Sequence, residues 1–430
     1  MPHVMKNLGG VTKEVAYQLV NNLSFLAGVK HQYSDQFAKE GAKIGQQLDV
    51  KFMDNISITR GPTMVERNLV ERTIPVTITV NNWYQGALAF SDLDYKLSVE
   101  AFDEKTNLTQ IVAKMANEME WDALQLALSV PNAIGTLGTT PGTAGGVGLA
   151  MTAAPQIFGN AGSVLTELGT PAESRSICMN PTAMTTSVGA LAALQNPAPD
   201  ISSQFRKGLL AHSMNFDYVE NVNIPSITTG TRTNGTVLVG SLDGATTLQV
   251  TGLGANATIA AGERFTVAGV LAINPMNQQF RPFPRMFVVT AATVANAAGQ
   301  ATLPVSPTMK LSNPEVLVGG VMTKRFPLLP LEVNGNVSAL PLAGAVVTWQ
   351  GAVNTVGVCN LANQKDAIVM TTVDLPIHDD ASKCVQMRYK NVSVRLWQGA
   401  DFKNSRGMTR IDAVAVFTLV RPDLACVIWG

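Results

Sequence analysis

The sequence predicts an α+β fold with an all-β barrel domain inserted into it. Apolar residues recur at helical spacing in several segments before residue 224, which indicates helices mixed with strands. Over residues 224–353, short runs of Val, Thr, Ile and Leu are separated by Gly, Pro and Asn-Gly, which is typical of a small β-barrel or β-sandwich. Strand-like runs resume after this block, so we expect an insertion rather than a terminal domain.

An amphipathic helix is predicted near the start of the chain, over residues 11–29. Thr12 is a candidate N-cap, because a Ser or Thr side chain can accept a hydrogen bond from the first turn of a helix. The apolar residues that follow have the spacing of one helix face: Val15, Leu19, Leu23 and Leu26.

A long two-stranded hairpin is predicted over residues 48–80. Apolar and polar residues alternate from Leu48 and again over residues 73–80, as in strands with two different faces. Between the strands, Arg-Gly-Pro at residues 60–62 marks a turn and is followed by a charged stretch. We expect the hairpin to pack on another surface, because an isolated two-stranded ribbon is only marginally stable in water.

The longest predicted helix covers residues 107–130 and ends before Pro131. At 1.5 Å per residue it spans about 36 Å, enough to form the spine of a domain. A short acidic helix is expected before it, over residues 92–104, with Ser91 and Asp94 as a capping-box-like start. One apolar stripe follows the long helix: Leu108, Ile111, Val112, Met115, Met119 and Leu126.

Shorter elements are predicted on both sides of the insertion. Residues 132–162 are rich in Gly, Ala and Thr and are interpreted as a surface loop. Asn180-Pro181 is a typical helix start, and that helix is expected to end near Asn196-Pro197. The other expectations are a helix over residues 163–168 and strands over residues 176–179, 367–373, 384–397 and 411–420.

Composition argues against some classes of protein. Charged residues make up 14% of the chain, 31 Lys and Arg balance 31 Asp and Glu, and 46% of residues are hydrophobic. This balance argues against a dedicated nucleic-acid-binding protein and favours a chain that associates with other molecules. The sequence has no signal peptide and no run of about 18 apolar residues, so we expect a soluble product made in the cytosol, with its four cysteines reduced.

The residue patterns that could indicate chemistry are weak. Gly-Leu-Gly at residues 252–254 lacks the third glycine of a dinucleotide-binding loop and is interpreted as a turn. His-Asp-Asp at residues 378–380 could offer metal ligands, but consecutive residues rarely converge on one ion. Glu118, Glu120 and Asp122 could serve acid/base chemistry, although a solvated or partner-facing helix side is the simpler interpretation. We therefore expect neither catalysis nor a cofactor nor a metal.

Two charged segments permit two interpretations. Residues 383–410 hold seven basic side chains and one acidic side chain, whereas residues 92–104 are strongly acidic. Each segment could be the solvated face of its own element, or the two could complement surfaces on neighbouring copies of the chain.

Seven short segments, in order between residues 165 and 425, carry a family resemblance. They are Leu-Thr-Glu-Leu-Gly-Thr-Pro at 165–171, Cys-Met-Asn-Pro at 178–181, Phe-Asp at 216–217, Ile-Pro at 224–225, Gly-Glu-Arg-Phe-Thr-Val-Ala-Gly-Val at 262–270, Lys-Asp-Ala-Ile-Val at 365–369 and Arg-Pro-Asp-Leu-Ala at 421–425. In this order the chain resembles the major capsid proteins of tailed bacteriophages, which have the Hong Kong 97-type fold. With its insertion it is most similar to the coat proteins of Salmonella-type short-tailed phages. Met214-Asn215 departs from the Ala-Gly that this family tends to have there.

The resemblance implies a structural protein and not an enzyme. Copies of it would assemble as pentamers and hexamers into an icosahedral shell around double-stranded DNA, which they would contact without sequence specificity. It also implies a virion protein that is synthesised in the host cytoplasm, with a separate scaffolding protein and a portal protein as partners, a decoration protein as an optional partner, and no membrane. The alternative is a β-rich tail, baseplate or decoration protein, which would share the low charge but would need neither the spine helix nor the long hairpin.

The same resemblance divides the chain into five regions. They are an N-terminal helical arm at 1–47, an extended hairpin (the E-loop) at 48–80, a peripheral domain with the spine helix 107–130 and the first part of the axial domain at 81–223, the inserted β-barrel at 224–353, and the remainder of the axial and peripheral domains at 354–430.

Contacts between subunits are expected to be ionic and apolar rather than covalent. Some members of the family join a Lys of the hairpin to an Asn of a neighbour, but residues 52–95 contain no Lys here, and an Arg guanidinium is always protonated and cannot replace it as a nucleophile. The candidate contact residues are Arg60, Glu66, Arg67, Glu71, Arg72, Asp92, Asp94, Glu100, Asp103 and Glu104. Because the first predicted helix starts by Thr12, there is almost no room before it for a scaffolding segment within the chain. We therefore expect no such segment and no maturation cleavage.

Overall fold

The computed structural model describes residues 8–34, 47–53, 71–77, 82–91, 104–135, 137, 154–192, 212–275, 280–311, 315–318, 321–324, 335–375, 377, 383–401 and 406–429. The chain divides into two compact units. Unit one comprises Met1–Val50, Thr73–Ala123 and Ile368–Val420, and unit two comprises Lys51–Arg72, Leu124–Ala367 and Arg421–Gly430.

The described residues form both helices and strands, and every α-helix among them lies before residue 193. The α-helices are α1 (Leu8–Asn22), α2 (Glu104–Gln125), α3 (Ala154–Glu167) and α4 (Pro181–Ala192), and 3₁₀ turns cover Leu26–Gly28, Leu126–Ser129 and Pro422–Leu424. The strands before the barrel are β1 (Lys30–Ser34), β2 (Gln47–Met53), β3 (Glu71–Thr77), β4 (Trp83–Ser91), β5 (Ala133–Ile134), β6 (Arg175–Met179), β7 (His212–Ser213), β8 (Phe216–Glu220) and β9 (Ser226–Thr228).

The remaining strands belong to the inserted block and to the end of the chain. They are β10 (Gly235–Val239), β11 (Ala245–Thr251), β12 (Thr258–Ile259), β13 (Arg264–Ile273), β14 (Phe280–Val289), β15 (Thr293–Val294), β16 (Ala301–Met309), β17 (Glu315–Val318), β18 (Val321–Lys324), β19 (Val346–Trp349), β20 (Val356–Gln364), β21 (Ile368–Val373), β22 (Lys383–Tyr389), β23 (Val392–Asp401), β24 (Arg406–Leu419) and β25 (Ala425–Trp429).

Helix α1 confirms the predicted amphipathic helix but not its limits. It begins at Leu8, so Thr12 is buried inside the helix and does not cap it. The helix ends at Asn22 because the backbone N–H groups of Ser24 and Phe25 donate to a side-chain carboxylate instead of to helix carbonyls. The predicted apolar stripe is buried throughout: Val15, Leu19, Leu23 and Leu26.

Helix α2 is the predicted long helix, shifted towards the N-terminus. It begins at Glu104 rather than residue 107, which places an acidic residue at the positive end of the helix dipole. It ends at Gln125, and the last predicted turn is the 3₁₀ turn Leu126–Ser129. In the predicted stripe, Ile111 and Leu126 are half-buried, and the others are buried: Leu108, Val112, Met115 and Met119. The predicted acidic helix over residues 92–104 falls mainly outside the described residues.

Unit one is built on a six-stranded sheet in the order β1-β21-β24-β23-β22, with β4 also paired to β24. β1 runs parallel to β21, and the other pairs are antiparallel. The predicted single strand over residues 384–397 is instead the hairpin β22–β23, which turns at Lys390-Asn391, where both residues have positive φ. A two-residue turn divides the predicted strand, so the structure has two antiparallel strands where the sequence predicted one.

Close packing in unit one explains a glycine in β4. A Cβ on Gly86 would lie 2.1 Å from Cγ2 of Ile111 on α2, so only glycine allows the helix to approach the strand this closely. In the same unit, the ring centroids of Tyr17 of α1 and Tyr389 of β22 lie 4.1 Å apart. The helices of unit one are thus fixed to the sheet by contacts between residues far apart in sequence.

Unit two contains a seven-stranded sheet in the order β5-β25-β20-β6-β8-β7, with β9 also paired to β20. Helix α4 begins where predicted, because Oδ1 of Asn180 accepts the N–H of Ala183 at 2.7 Å as an N-cap. Helix α3 is longer than predicted, starting at Ala154 within the expected loop. Phe158, Ala161 and Leu165 bury one helical stripe there, and the Gly- and Ala-rich composition conceals it.

The inserted block of unit two contains a closed six-stranded barrel, which confirms the predicted barrel. The strands close in the order β10-β11-β16-β14-β13-β19. Its interior is a single cluster that includes Leu248, Phe265, Phe287 and Val347, all fully buried, and each such side chain contributes roughly 1.5–3 kcal/mol on burial. The two ends of the insertion meet, because β9 and β20 pair antiparallel with Thr228 opposite Val356.

The predicted hairpin is present in part. β2 and β3 form a two-stranded sheet, and the turn and charged stretch between them lie outside the described residues. The division of the chain into five regions stays a prediction.

Candidate functional site

The structure places three of the ten candidate contact residues on described elements. Glu71 and Arg72 are the first two residues of β3, and Glu104 is the first residue of α2. The other seven lie outside the described residues: Arg60, Glu66, Arg67, Asp92, Asp94, Glu100 and Asp103. Their contacts with neighbouring copies therefore stay a prediction.

The acidic group of α2 has structural roles in unit one. Glu120 is buried and accepts hydrogen bonds from the backbone N–H groups of Ser24 and Phe25, the latter at 2.8 Å, and from the Ser24 hydroxyl at 3.1 Å. Asp122 accepts the Tyr84 hydroxyl at 2.5 Å, and burial together with this carboxylate raises the pKa of Tyr84 well above its usual value. These carboxylates hold the chain after α1 and strand β4 against α2.

The described residues give no evidence of a metal site or of a nucleotide-binding loop. It contains no group of three or more His, Cys, Asp or Glu side chains that could hold a metal ion, and residues 378–380 lie outside it. Gly252 and Gly254 both have positive φ in the turn after β11, as the turn interpretation predicts. Among the described residues, no helix is long and apolar enough to cross a membrane.

Part of the basic segment 383–410 is buried rather than solvated. Arg395 is 2% exposed, and its Nη2 donates to Oδ2 of Asp412 at 2.7 Å. Arg410 donates from Nε to the other oxygen of Asp412 at 2.6 Å, and Trp83 donates to it at 3.3 Å. The interpretation of this segment as a solvated face is therefore wrong for Arg395, whose charge is matched within the sheet.

Sequence reasoning missed the buried arginines of unit two, three of which lie within residues 224–353. Arg232 and Glu263 form an ion pair inside the barrel region, with both side chains almost fully buried. Arg264 donates to the carbonyls of Val130 and Ala127, each at 2.8 Å, and its guanidinium lies 4.6 Å from the Trp429 ring. Arg285 pairs with Asp423. Nothing in a strand pattern marks these residues, because an arginine in an alternating strand is ordinarily assigned to the solvent side.

Arg264 fixes the barrel to the rest of unit two. The carbonyls that it binds belong to Ala127 in the 3₁₀ turn after α2 and to Val130, the residue that follows this turn. A helix end leaves carbonyls short of donors, and the carbonyl of Ala127 otherwise accepts only the N–H of Val130. Burial lowers the pKa of the Arg264 guanidinium. An arginine nevertheless remains protonated in proteins, so a full positive charge lies against backbone carbonyl dipoles and an aromatic face.

The barrel also carries an exposed apolar patch, which is the strongest candidate for an intermolecular contact. The barrel-end patch consists of five side chains that are 38% to 80% exposed: Leu238, Val239, Leu242, Leu342 and Val346. They are neighbours, because Thr236 pairs with Val346 and the N–H of Ser241 donates to the carbonyl of Pro341 at 3.0 Å. Contiguous exposed apolar side chains of this kind mark sites of association. The run Val-Leu-Val in β10 without alternation is the only signal of it in the sequence.

The chain is similar to solved structures of bacteriophages and their capsids. It aligns with a chain from Mycobacterium phage Che8 (TM-score 0.45, 8% identity, 94% of this chain and 90% of that one) and with the capsid of Ralstonia phage GP4 (TM-score 0.43, 9% identity, 96% and 92%). It also aligns with the capsid of cyanophage P-SCSP1u (TM-score 0.42, 11% identity, 94% and 88%). No protein-family model matches the sequence, and no curated protein matches it. All three TM-scores lie below 0.5, so the function is inferred from the chain's own elements.

Proposed function

We propose that the chain is the major capsid protein of a tailed bacteriophage with a Hong Kong 97-type fold. Copies of it assemble as pentamers and hexamers into an icosahedral shell that encloses double-stranded DNA. The observation that carries this proposal is the closed six-stranded barrel, which is inserted between the paired strands β9 and β20 of a mixed α+β chain. An inserted barrel is the feature that the resemblance to Salmonella-type coat proteins implies.

Other elements support the proposal by their order along the chain. An amphipathic helix, a two-stranded pair, a 22-residue helix, a mixed region, the barrel and a set of returning strands follow one another as the resemblance implies. The low fraction of charged residues, 14%, and the barrel-end patch both favour association of many copies.

The proposal also covers the partners of the subunit and where the subunit functions. The subunit is made in the host cytoplasm and functions in the virion. A separate scaffolding protein directs its assembly, a portal protein occupies the shell, and a decoration protein is an optional partner. The subunits touch DNA without reading its sequence.

Electron microscopy of the purified full-length protein tests the proposal. Closed shells or sheets of ring-shaped capsomers are expected at high protein concentration. Fibres, isolated rings or small discrete oligomers would instead favour a tail, baseplate or decoration protein.

The same particles test whether the subunits are linked covalently. Because residues 52–95 contain no Lys, particles boiled in detergent should release one band at the mass of the 45.6 kDa chain. A ladder of multimers that survives a reductant would contradict the proposed non-covalent shell.

A further inference from the structure

Unit two contains a cavity of about 510 Å³ that no part of the proposed function uses. Helix α3 and strand β5 form one side of it, and strand β14 of the barrel forms the other. Its volume lies within the roughly 300–1,000 Å³ that is usual for ligand sites. Phe283, Val164 and Ile134 give it an apolar lining around a few polar groups.

Three donors of this cavity lack an oxygen acceptor, and the carboxylate of Glu167, which also lines the cavity, faces Nη1 of Arg281. Arg285 is 1% exposed, and its Nε has no hydrogen-bond partner among the described residues. The N–H of Ala133 donates to the sulfur of Met286 at 3.4 Å, and Nε2 of Gln350 donates to the same sulfur at 3.6 Å. A thioether is a weak acceptor, so the lining offers three donors and favours a ligand that brings oxygen acceptors.

The charges around the cavity favour a neutral ligand over an anion. Arg285 is paired with Asp423, and Nη1 of Arg281 lies 2.8 Å from Oε2 of Glu167. Two positive and two negative groups therefore cancel. A carboxylate or phosphate would leave an uncompensated negative charge in a partly enclosed site, whereas a peptide carbonyl would satisfy a donor without adding charge.

The backbone beside the cavity suits an extended peptide. Strand β5 lies at the end of the described order of the seven-stranded sheet, with β25 on its inner side. The carbonyl of Asn132 accepts the N–H of Val427 on that inner side, so in a parallel ladder the N–H of Ala133 points to the outer side. Addition of an extended segment to such an edge is a common mode of peptide recognition.

We propose that this cavity binds an extended, uncharged segment of a second copy of the chain, whose carbonyl oxygens accept hydrogen bonds from Nε of Arg285 and the N–H of Ala133. The proposal rests on the proposed function, which brings many copies into contact. A second copy is a suitable source because only 14% of its residues are charged. Apolar side chains of the bound segment pack against Phe283 and Val164.

Hydrogen exchange on the full-length protein tests this contact directly. The backbone amide of Ala133 should exchange at least about tenfold more slowly in associated particles than in dissociated subunits. Equal exchange rates in the two states would overturn the proposal, whether the cavity then holds only water or a segment of its own chain. If the exchange of the Ala133 amide slows only when a different protein is added, the occupant of the cavity is not a second copy of the chain.

A substitution at the cavity provides a second, independent test. Ser163→Trp places an indole at a lining position of α3, and the matched control Gly159→Trp lies one turn earlier, outside the lining and with open space around its Cβ. Both variants should keep the wild-type circular dichroism spectrum, while Ser163→Trp weakens association by about tenfold or more and Gly159→Trp leaves it nearly unchanged.

The outcomes separate this inference from the proposed function. Particles of Ser163→Trp that form at the wild-type protein concentration would overturn the inference alone. A wild-type chain that does not associate at any concentration would overturn the proposed function as well. If Ser163→Trp does not fold, the exchange rate of Ala133 in the wild-type protein decides the question by itself.

Discussion

At the scale of single residues, buried arginines hold distant parts of unit two together. Arg264 joins the barrel to the segment after α2, and Arg285 joins β14 to the 3₁₀ turn at Pro422–Leu424 through Asp423. Arg232 instead satisfies Glu263, whose carboxylate also accepts the N–H groups of Gly230 and Ala260, each at 2.7 Å. Burying a charged group without a partner is costly, so removing one member of such a buried pair should destabilise the unit.

Arg264→Met should destabilise unit two. The methionine fills similar space but removes the arginine donors from the carbonyls of Val130 and Ala127, and the carbonyl of Ala127 keeps only the N–H of Val130 at 3.3 Å. We therefore expect the free energy of unfolding to fall by about 3 kcal/mol or more. Urea denaturation measures the change. Lys365→Met, at an exposed position of the same unit, is the control and should cost less than about 0.5 kcal/mol. Equal losses in both variants would show that Arg264 does not bind the turn.

The four cysteines should differ sharply in reactivity. None of them forms a disulfide, but Cys178, Cys359 and Cys426 are buried, and burial raises the pKa of Cys426 to about 12. Since the thiolate is the reactive form, at pH 8 only about one Cys426 side chain in 10⁴ is reactive even before access is considered. Cys384 is half-buried on β22 and is expected to react first.

Alkylation of the native protein followed by mass spectrometry measures this difference. One label, at Cys384, is expected at pH 8, and all four cysteines should be labelled after denaturation. Cys384→Ser is the matched control and should leave the native protein almost unlabelled. Rapid native labelling of Cys359 or Cys426 would contradict the buried positions.

At the scale of elements, the barrel should fold without the rest of the chain. Its interior cluster lies between Val237 and Trp349, and its strands close on one another, so its fold needs no outside strand. A fragment of residues 224–353 should give a β-type circular dichroism spectrum and a cooperative melt. Its Tm should be lower than that of unit two, because Arg264 and Arg285 lose their partners outside the fragment.

The fragment has an internal control in its own core. Phe265 is fully buried and packs against Phe287 and Trp349, so Phe265→Ala should cost about 3–5 kcal/mol and remove the cooperative transition. A random-coil spectrum for the unsubstituted fragment would contradict both the boundary and the independence of the barrel.

Elements with strong periodicity could be predicted from the sequence, and those without it could not. The stripe of α2 and the alternation within the barrel are local properties of the chain, and both are confirmed in the structure. Helix α3 could not be predicted at its full length because Gly and Ala dominate the sequence around it. The turn at Lys390-Asn391 could not be predicted because neither of its two positive-φ residues is a glycine. Boundaries shift for a different reason, since they depend on partners such as Glu120, about a hundred residues away in sequence.

The contacts at the candidate sites depend on tertiary structure even more than the element boundaries do. Glu120 and Asp122 were recognised as a cluster on α2, but their hydrogen bonds to Phe25 and Tyr84 could not be read from spacing along the helix. The barrel-end patch joins β10 to the segment before β19, about a hundred residues later. Only the closure of the barrel brings these two segments together, so the Val-Leu-Val run of β10 could not by itself indicate the whole patch.

At the scale of the whole molecule, association should depend on the barrel-end patch. Leu242 and Leu342 are 80% and 72% exposed, so a charged residue at either position costs the monomer little but must be desolvated when copies pack together. Leu242→Asp and Leu342→Asp should each unfold within about 0.5 kcal/mol of wild type and associate at least about tenfold more weakly.

Sedimentation of the full-length protein over a range of concentrations measures the effect. Val294→Asp is the matched control, because Val294 is 62% exposed on β15 of the same insertion but lies outside the patch. It should leave both stability and association close to wild type. If the patch variants and the control associate equally well, the patch faces solvent in the assembly, and the contacts between copies lie elsewhere, with the charged residues of the hairpin and of residues 92–104 as the next positions to substitute.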